Sequence, residues 1–82
     1  MLSDRIREFV NETYLIPARQ RGDKQVAIRA GDVHKDMGLK NRLPAVSAAL
    51  GADTFEQQYG VRRVSIEGPL NGSNCVLTFR FE

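Results

Sequence analysis

The sequence predicts a small α+β domain whose elements run helix, strand, helix, turn, helix, strand, loop, strand. Three observations predict it. Apolar residues recur at three and four residues in separate segments, Gly and Pro divide the chain into six short pieces, and the last third alternates with the two-residue period of a hairpin. With 82 residues and 9.2 kDa, residues 1–82 make one domain with one core.

The first helix is expected from Ser3 to about Thr13. Ser3 can cap the free amides of a helix start, and Asp4 complements the positive helix end. Ile6, Phe9, Val10 and Thr13 form its apolar stripe, with Arg5, Arg7, Glu8 and Glu12 on the other side. Pro17 disfavours helical geometry at Ile16, so the helix is expected to end or bend there. Whether Pro17 opens another turn through Arg19 stays open. After the polar turn Arg21-Gly22-Asp23-Lys24, the alternation in Gln25–Arg29 predicts a strand with Val26 and Ile28 on one face.

Gly31 to Met37 is expected as a brief helix stopped by Gly38 in the left-handed conformation. Asn41 is expected to cap the third helix, where Leu43, Val46 and Leu50 form the buried stripe. Pro44 falls in the first turn, where no amide partner is lost. Asp53 can cap a further helical turn through Tyr59, closed by Gly60. In the hairpin, Val64 and Ile66 of Val61 to Glu67 are expected to face inward, as are Cys75, Leu77, Phe79 and Phe81 of Cys75 to Phe81. The polar stretch from Gly68 to Asn74 is too long for a two-residue turn and predicts a protruding loop.

Composition narrows the function. Hydrophobic residues at 41% and charged residues at 27% are ordinary for a folded chain. Twelve Lys and Arg against ten Asp and Glu give a formal charge of +2, which permits a polyanionic partner without demanding one. No apolar run is long enough to span a bilayer, and Leu2-Ser3-Asp4-Arg5 is unlike a secretory signal. With one cysteine, Cys75, no internal disulfide or multi-cysteine zinc site is expected, and the expected compartment is the cytoplasm. His34 and Cys75 alone suggest neither a metal site nor a nucleophile, the carboxylates are dispersed, and no phosphate-binding glycine loop occurs. No catalysis, cofactor or metal is expected.

Two helices joined by Gly38-Leu39-Lys40-Asn41, followed by a hairpin and completed by a lone upstream strand, resemble a winged helix-turn-helix domain over nearly the whole chain. The stretch from Ile28 to Val46, with Ile16-Pro17-Ala18-Arg19 before it and Glu67-Gly68-Pro69 after it, is also similar to small stand-alone prokaryotic proteins of this kind, of unassigned role. The resemblance implies three helices and a small antiparallel sheet. It further implies a double-stranded DNA partner, with the third helix in the major groove and the loop as a wing on an adjacent groove. A small transcriptional regulator or DNA-associated protein is the expected role.

On that arrangement the face opposite Leu43, Val46 and Leu50 presents Asn41, Pro44, Ala45 and Ala48, with Arg42 and Ser47 to its sides. Small side chains permit close approach but carry little sequence code, which leaves Asn41 and Arg42 as the readers. Lys40-Asn41-Arg42 is the strongest nucleic-acid signal, because two cations stand where free backbone amides and the helix dipole favour phosphate. Lys35, Arg63 and the wing residues Asn71, Ser73 and Asn74 complete the candidate DNA contacts, although the wing holds no Lys or Arg. Arg19, Arg21, Lys24 and Arg29 are either a second backbone-contacting patch or a solvated loop. The rival expectation is a protein-interaction module using the alanine-rich helix face or an apolar patch at Tyr59, Leu70 and Val76, which could also serve a homodimer.

Overall fold

A computed structural model describes all 82 residues, Met1–Glu82. Its first feature is a helical path over residues 2–20: α1 (Leu2–Val10), a π-helical turn (Asn11–Leu15) and α2 (Ile16–Gln20). The helix starts at Leu2, which packs against the core, so Ser3 lies inside the first turn rather than capping it. The chain does not end its helix at Pro17. The Ile16 N–H reaches back five residues to the Asn11 carbonyl, and Pro17 then falls in the first turn of α2, where a missing N–H costs nothing. The wide turn also shifts the phase of the apolar stripe. Ile6 and Val10 are buried, Thr13 is exposed, and Leu15 takes the core position.

Strand β1 (Gln25–Arg29) runs directly into α3 (Ala30–Asp36), which Gly38 closes at φ +69°. The third predicted helix is α4 (Leu43–Gly51), and Asp53–Tyr59 is a helix of its own, α5, closed by Gly60 at φ +65°. Asp53 is the first residue of α5, and Ala52 holds the cap position. Helix α4 packs on α1 and α3, while α5 lies against the hairpin. Phe55 of α5 meets Phe79 edge-on at 5.0 Å and Tyr59 at 5.5 Å.

Strands β2 (Val61–Glu67) and β3 (Val76–Phe81) form the hairpin, and β1 pairs with β3, giving an antiparallel sheet in the order β1-β3-β2. Side chains opposite each other across a pair share a face. Val26, Ile28, Leu77 and Phe79 therefore face the helices. The expected facing of β2 is corrected. Buried Val61 lies opposite Phe81 and Arg63 opposite Phe79, so Arg63 points to the inner face. A bulge between Arg63 and Ser65 then turns Val64 outward. Ile66 returns opposite Leu77 but lies far along the hairpin arm, leaving Val64 44% and Ile66 40% exposed.

The loop between β2 and β3 is anchored at its base. The Gly31 N–H donates to the Ser73 carbonyl at 2.9 Å, and a Cβ on Gly31 would lie 2.5 Å from that oxygen, so only glycine fits this approach. Arg29 donates to Asn74 Oδ1 at 2.6 Å and to Asp32 Oδ1 at 2.9 Å, tying the loop to the start of α3. No helix is long and apolar enough to cross a membrane.

Candidate nucleic-acid interface

The turn between α3 and α4 displays Lys40, Asn41 and Arg42, all exposed. Asn41 is not the helix cap. It adopts φ +55°, a left-handed conformation that asparagine tolerates better than most residues, and Arg42 takes the cap position. The Arg42 N–H donates to His34 Nε2 at 3.1 Å, which fixes the turn to α3. Pro44 has no N–H, and no side chain caps the helix start. The amides of Leu43 and Ala45 therefore remain at the positive end of α4.

Six of the twelve cations are engaged within the fold: Arg7, Arg21, Arg29 and Arg62 are paired with carboxylates, and Arg19 and Arg63 donate to backbone carbonyls. The other six, Arg5, Lys24, Lys35, Lys40, Arg42 and Arg80, have no carboxylate within ion-pair distance; of these, Lys40 and Arg42 stand at the start of α4, and Lys35 follows His34 on α3. Of the acids near Lys35 in sequence, Asp32 holds Arg29, and Asp36 lies near Tyr14. Burial, then the nearby Asp36 and Asp32 charges, raise the Tyr14 pKa above the usual tyrosine value.

Along α4, Pro44 and Ala48 are exposed and Ala45 is half-buried, so these reach the outer face. Ser47 does not. Its Oγ is buried and meets no hydrogen-bond partner, which withdraws it from the contact surface. Arg63 is withdrawn as well. Its guanidinium donates to the Gly51 carbonyl at 2.8 Å and its N–H to Glu56 Oε2 at 2.9 Å, so it secures the end of α4 instead of meeting a phosphate. Arg7 acts alongside it, with Nε donating to the Ala49 carbonyl at 2.9 Å. The one sequence signal for these two roles was that α4 has no basic residue in its own last turn.

On the wing, Asn71 is exposed at φ +64°, Ser73 is exposed with its carbonyl held by Gly31, and the Asn74 amide oxygen is taken by Arg29. The tip is apolar, with Leu70 70% exposed. Tyr59 and Val76, grouped with Leu70 as a possible patch, are half-buried, and they lie at opposite ends of the hairpin. The basic stretch resolves into separate roles. Arg19 donates to the Tyr59 and Gly60 carbonyls and covers the Phe81 ring at 4.8 Å, Arg21 pairs with Asp23, Arg29 holds the wing, and Lys24 has no carboxylate partner.

The geometry thus assembles one cationic tip at the start of a helix whose outer face is Pro44 and Ala48, and a β2–β3 loop that carries polar groups and one exposed leucine. Compared with known proteins, the chain matches no family model, no curated protein and no solved structure.

Proposed function

We propose that the protein is a non-catalytic winged helix-turn-helix domain that binds double-stranded DNA, with α4 in the major groove and the wing against an adjacent groove, as a small regulator or DNA-associated protein. The observation that carries this reading is the pair Lys40 and Arg42, free of carboxylates, at the uncapped start of α4, with Lys35 also unpaired on the preceding helix. The sheet order β1-β3-β2 behind a helix-turn-helix pair supports it. The cations and the Leu43 and Ala45 amides dock on phosphates, while Pro44, Ala45 and Ala48 let the helix approach the groove floor and offer apolar contact to thymine methyls. Asn41 and Arg42 supply the hydrogen-bonding readout, so specificity is modest and set at one end of the helix.

The test is a salt-titrated binding assay on random duplex DNA. With three phosphate contacts the log–log slope is about −3, and Lys40→Ala/Arg42→Ala lowers the magnitude of that slope by about 2. Equal binding by both proteins, or a flat response to salt, overturns the reading. A protein-interaction role is the second reading, favoured by Val64, Ile66 and Leu70 exposed along one hairpin arm. Sedimentation giving a dimer that Leu70→Ser dissolves would move the assignment there.

A further inference from the structure

The sheet face turned away from the helices carries a cationic row. Gln25, Arg80 and Arg62 stand side by side across β1, β3 and β2 in direct register. Arg80 and Arg62 are exposed like charges placed opposite each other, an arrangement that destabilises a sheet instead of helping it hold together. Arg62 is paired with Glu82 at 3.6 Å, but both side chains are more than half exposed, so water screens the pair, and Arg80 has no ion pair. Lys24, also without an ion pair, lines an open concavity with Arg80 and Asp23 at the same end of the sheet, and the Asp23 carboxylate is taken by Arg21.

The next row, Ala27, Thr78 and Ser65, is small and flat. Three acids border this face: Glu67 lies at the far end beside Val76, Glu82 sits by Arg62, and Asp23 borders the concavity and is held by Arg21. Four Phe and two Tyr are the aromatic residues of the chain, and all six belong to the core or pack against it. The outer face therefore offers phosphates a row of cations above a flat floor, and offers unstacked bases no ring to lie on. That chemistry fits the backbone of a duplex and disfavours a single strand.

We infer that this outer face, through Arg62 and Arg80 with Lys24 at its border, is a second, sequence-indifferent surface for duplex DNA, so that one protein molecule bridges two duplex segments. The inference rests on the DNA-binding reading of α4. The helices cover only the inner face of the sheet, so a duplex at the tip of α4 leaves the outer row open to another.

The experiment immobilises one random-sequence duplex, loads it with protein, and adds a second, fluorescent duplex. The wild-type protein retains the second duplex. Arg62→Ala/Arg80→Ala cuts that retention about tenfold while binding to the first duplex and the melting temperature hold, since the change removes a repulsion; Arg62→Lys/Arg80→Lys, which keeps both charges, retains the second duplex. Wild-type protein that binds the first duplex but captures no second one overturns the inference and leaves the α4 reading standing. So does capture that survives Arg62→Ala/Arg80→Ala, or capture of single strands in place of duplex. Protein that binds no duplex at all overturns both.

Discussion

At its C-terminal end, α4 receives guanidinium groups from two distant parts of the chain: Arg7 of α1 at the Ala49 carbonyl and Arg63 of β2 at the Gly51 carbonyl. At its N-terminal end it receives one imidazole nitrogen, at the Arg42 amide, and no carboxylate. Both ends carry residues of the same charge, yet the physics differs. At the negative end of the helix dipole an arginine is an internal cap and is satisfied by the fold. At the positive end Lys40 and Arg42 oppose the dipole, and an anion from outside relieves both at once. The contrast separates cations that the fold engages from cations that it leaves in solvent.

The largest effect that would break this comparison is on stability. Arg63→Ala leaves the Gly51 carbonyl without its charged donor and should cost about 1.5–3 kcal/mol, a melting temperature lower by on the order of 10 °C for a domain of this size. Lys40→Ala/Arg42→Ala, at the other end, should stay within about 0.5 kcal/mol of wild type. Calorimetric melts of the two variants check both statements, and similar losses would mean that the N-terminal tip is structural after all.

A smaller effect sharpens the comparison at Asn41. Its left-handed backbone makes Asn41→Ala cost about 1 kcal/mol, whereas Asn41→Gly should leave denaturant midpoints within about 0.5 kcal/mol. Both variants lose the amide. If that group reads a base, a site-selection experiment shows equal loss of preference in the two despite their different stabilities.

The smallest effect concerns the bracing of α3 from behind. Burial and the neighbouring Asp36 and Asp32 hold the Tyr14 pKa above the unfolded value of about 10. A group whose folded pKa is raised contributes stability below its unfolded pKa and loses it as pH rises through the folded one. Melting temperature should therefore fall as pH climbs above about 10. Tyr14→Phe should fall less steeply over that range, with Tyr59, raised chiefly by burial, accounting for part of the remaining slope.

Much of the local structure was legible in the residues themselves. Gln25–Arg29 is a strand with the expected facing, Gly38 and Gly60 stop helices, and Pro44 sits in a first helical turn. Each depends on a backbone preference acting within a few positions. Asn41 was misplaced by one residue because a left-handed turn and a helix cap favour the same side chain. In β2 the facing was misread because the bulge at Arg63 and Ser65 inverts parity within the strand. Of the candidate site, Lys35, Lys40, Asn41 and Arg42 stay exposed, while Arg63 and Ser47 turn inward.

By itself, then, the sequence determined periods, stops and the order of elements, because these follow from φ/ψ preferences and the spacing of apolar side chains. Only the tertiary structure decided what each arginine does. Arg7 and Arg19 find carbonyls 42 and 40 residues away, and Arg63 finds its own across the whole of α5. A guanidinium looks the same in the chain whether a distant carbonyl or the solvent receives it, and packing alone brings that carbonyl within reach.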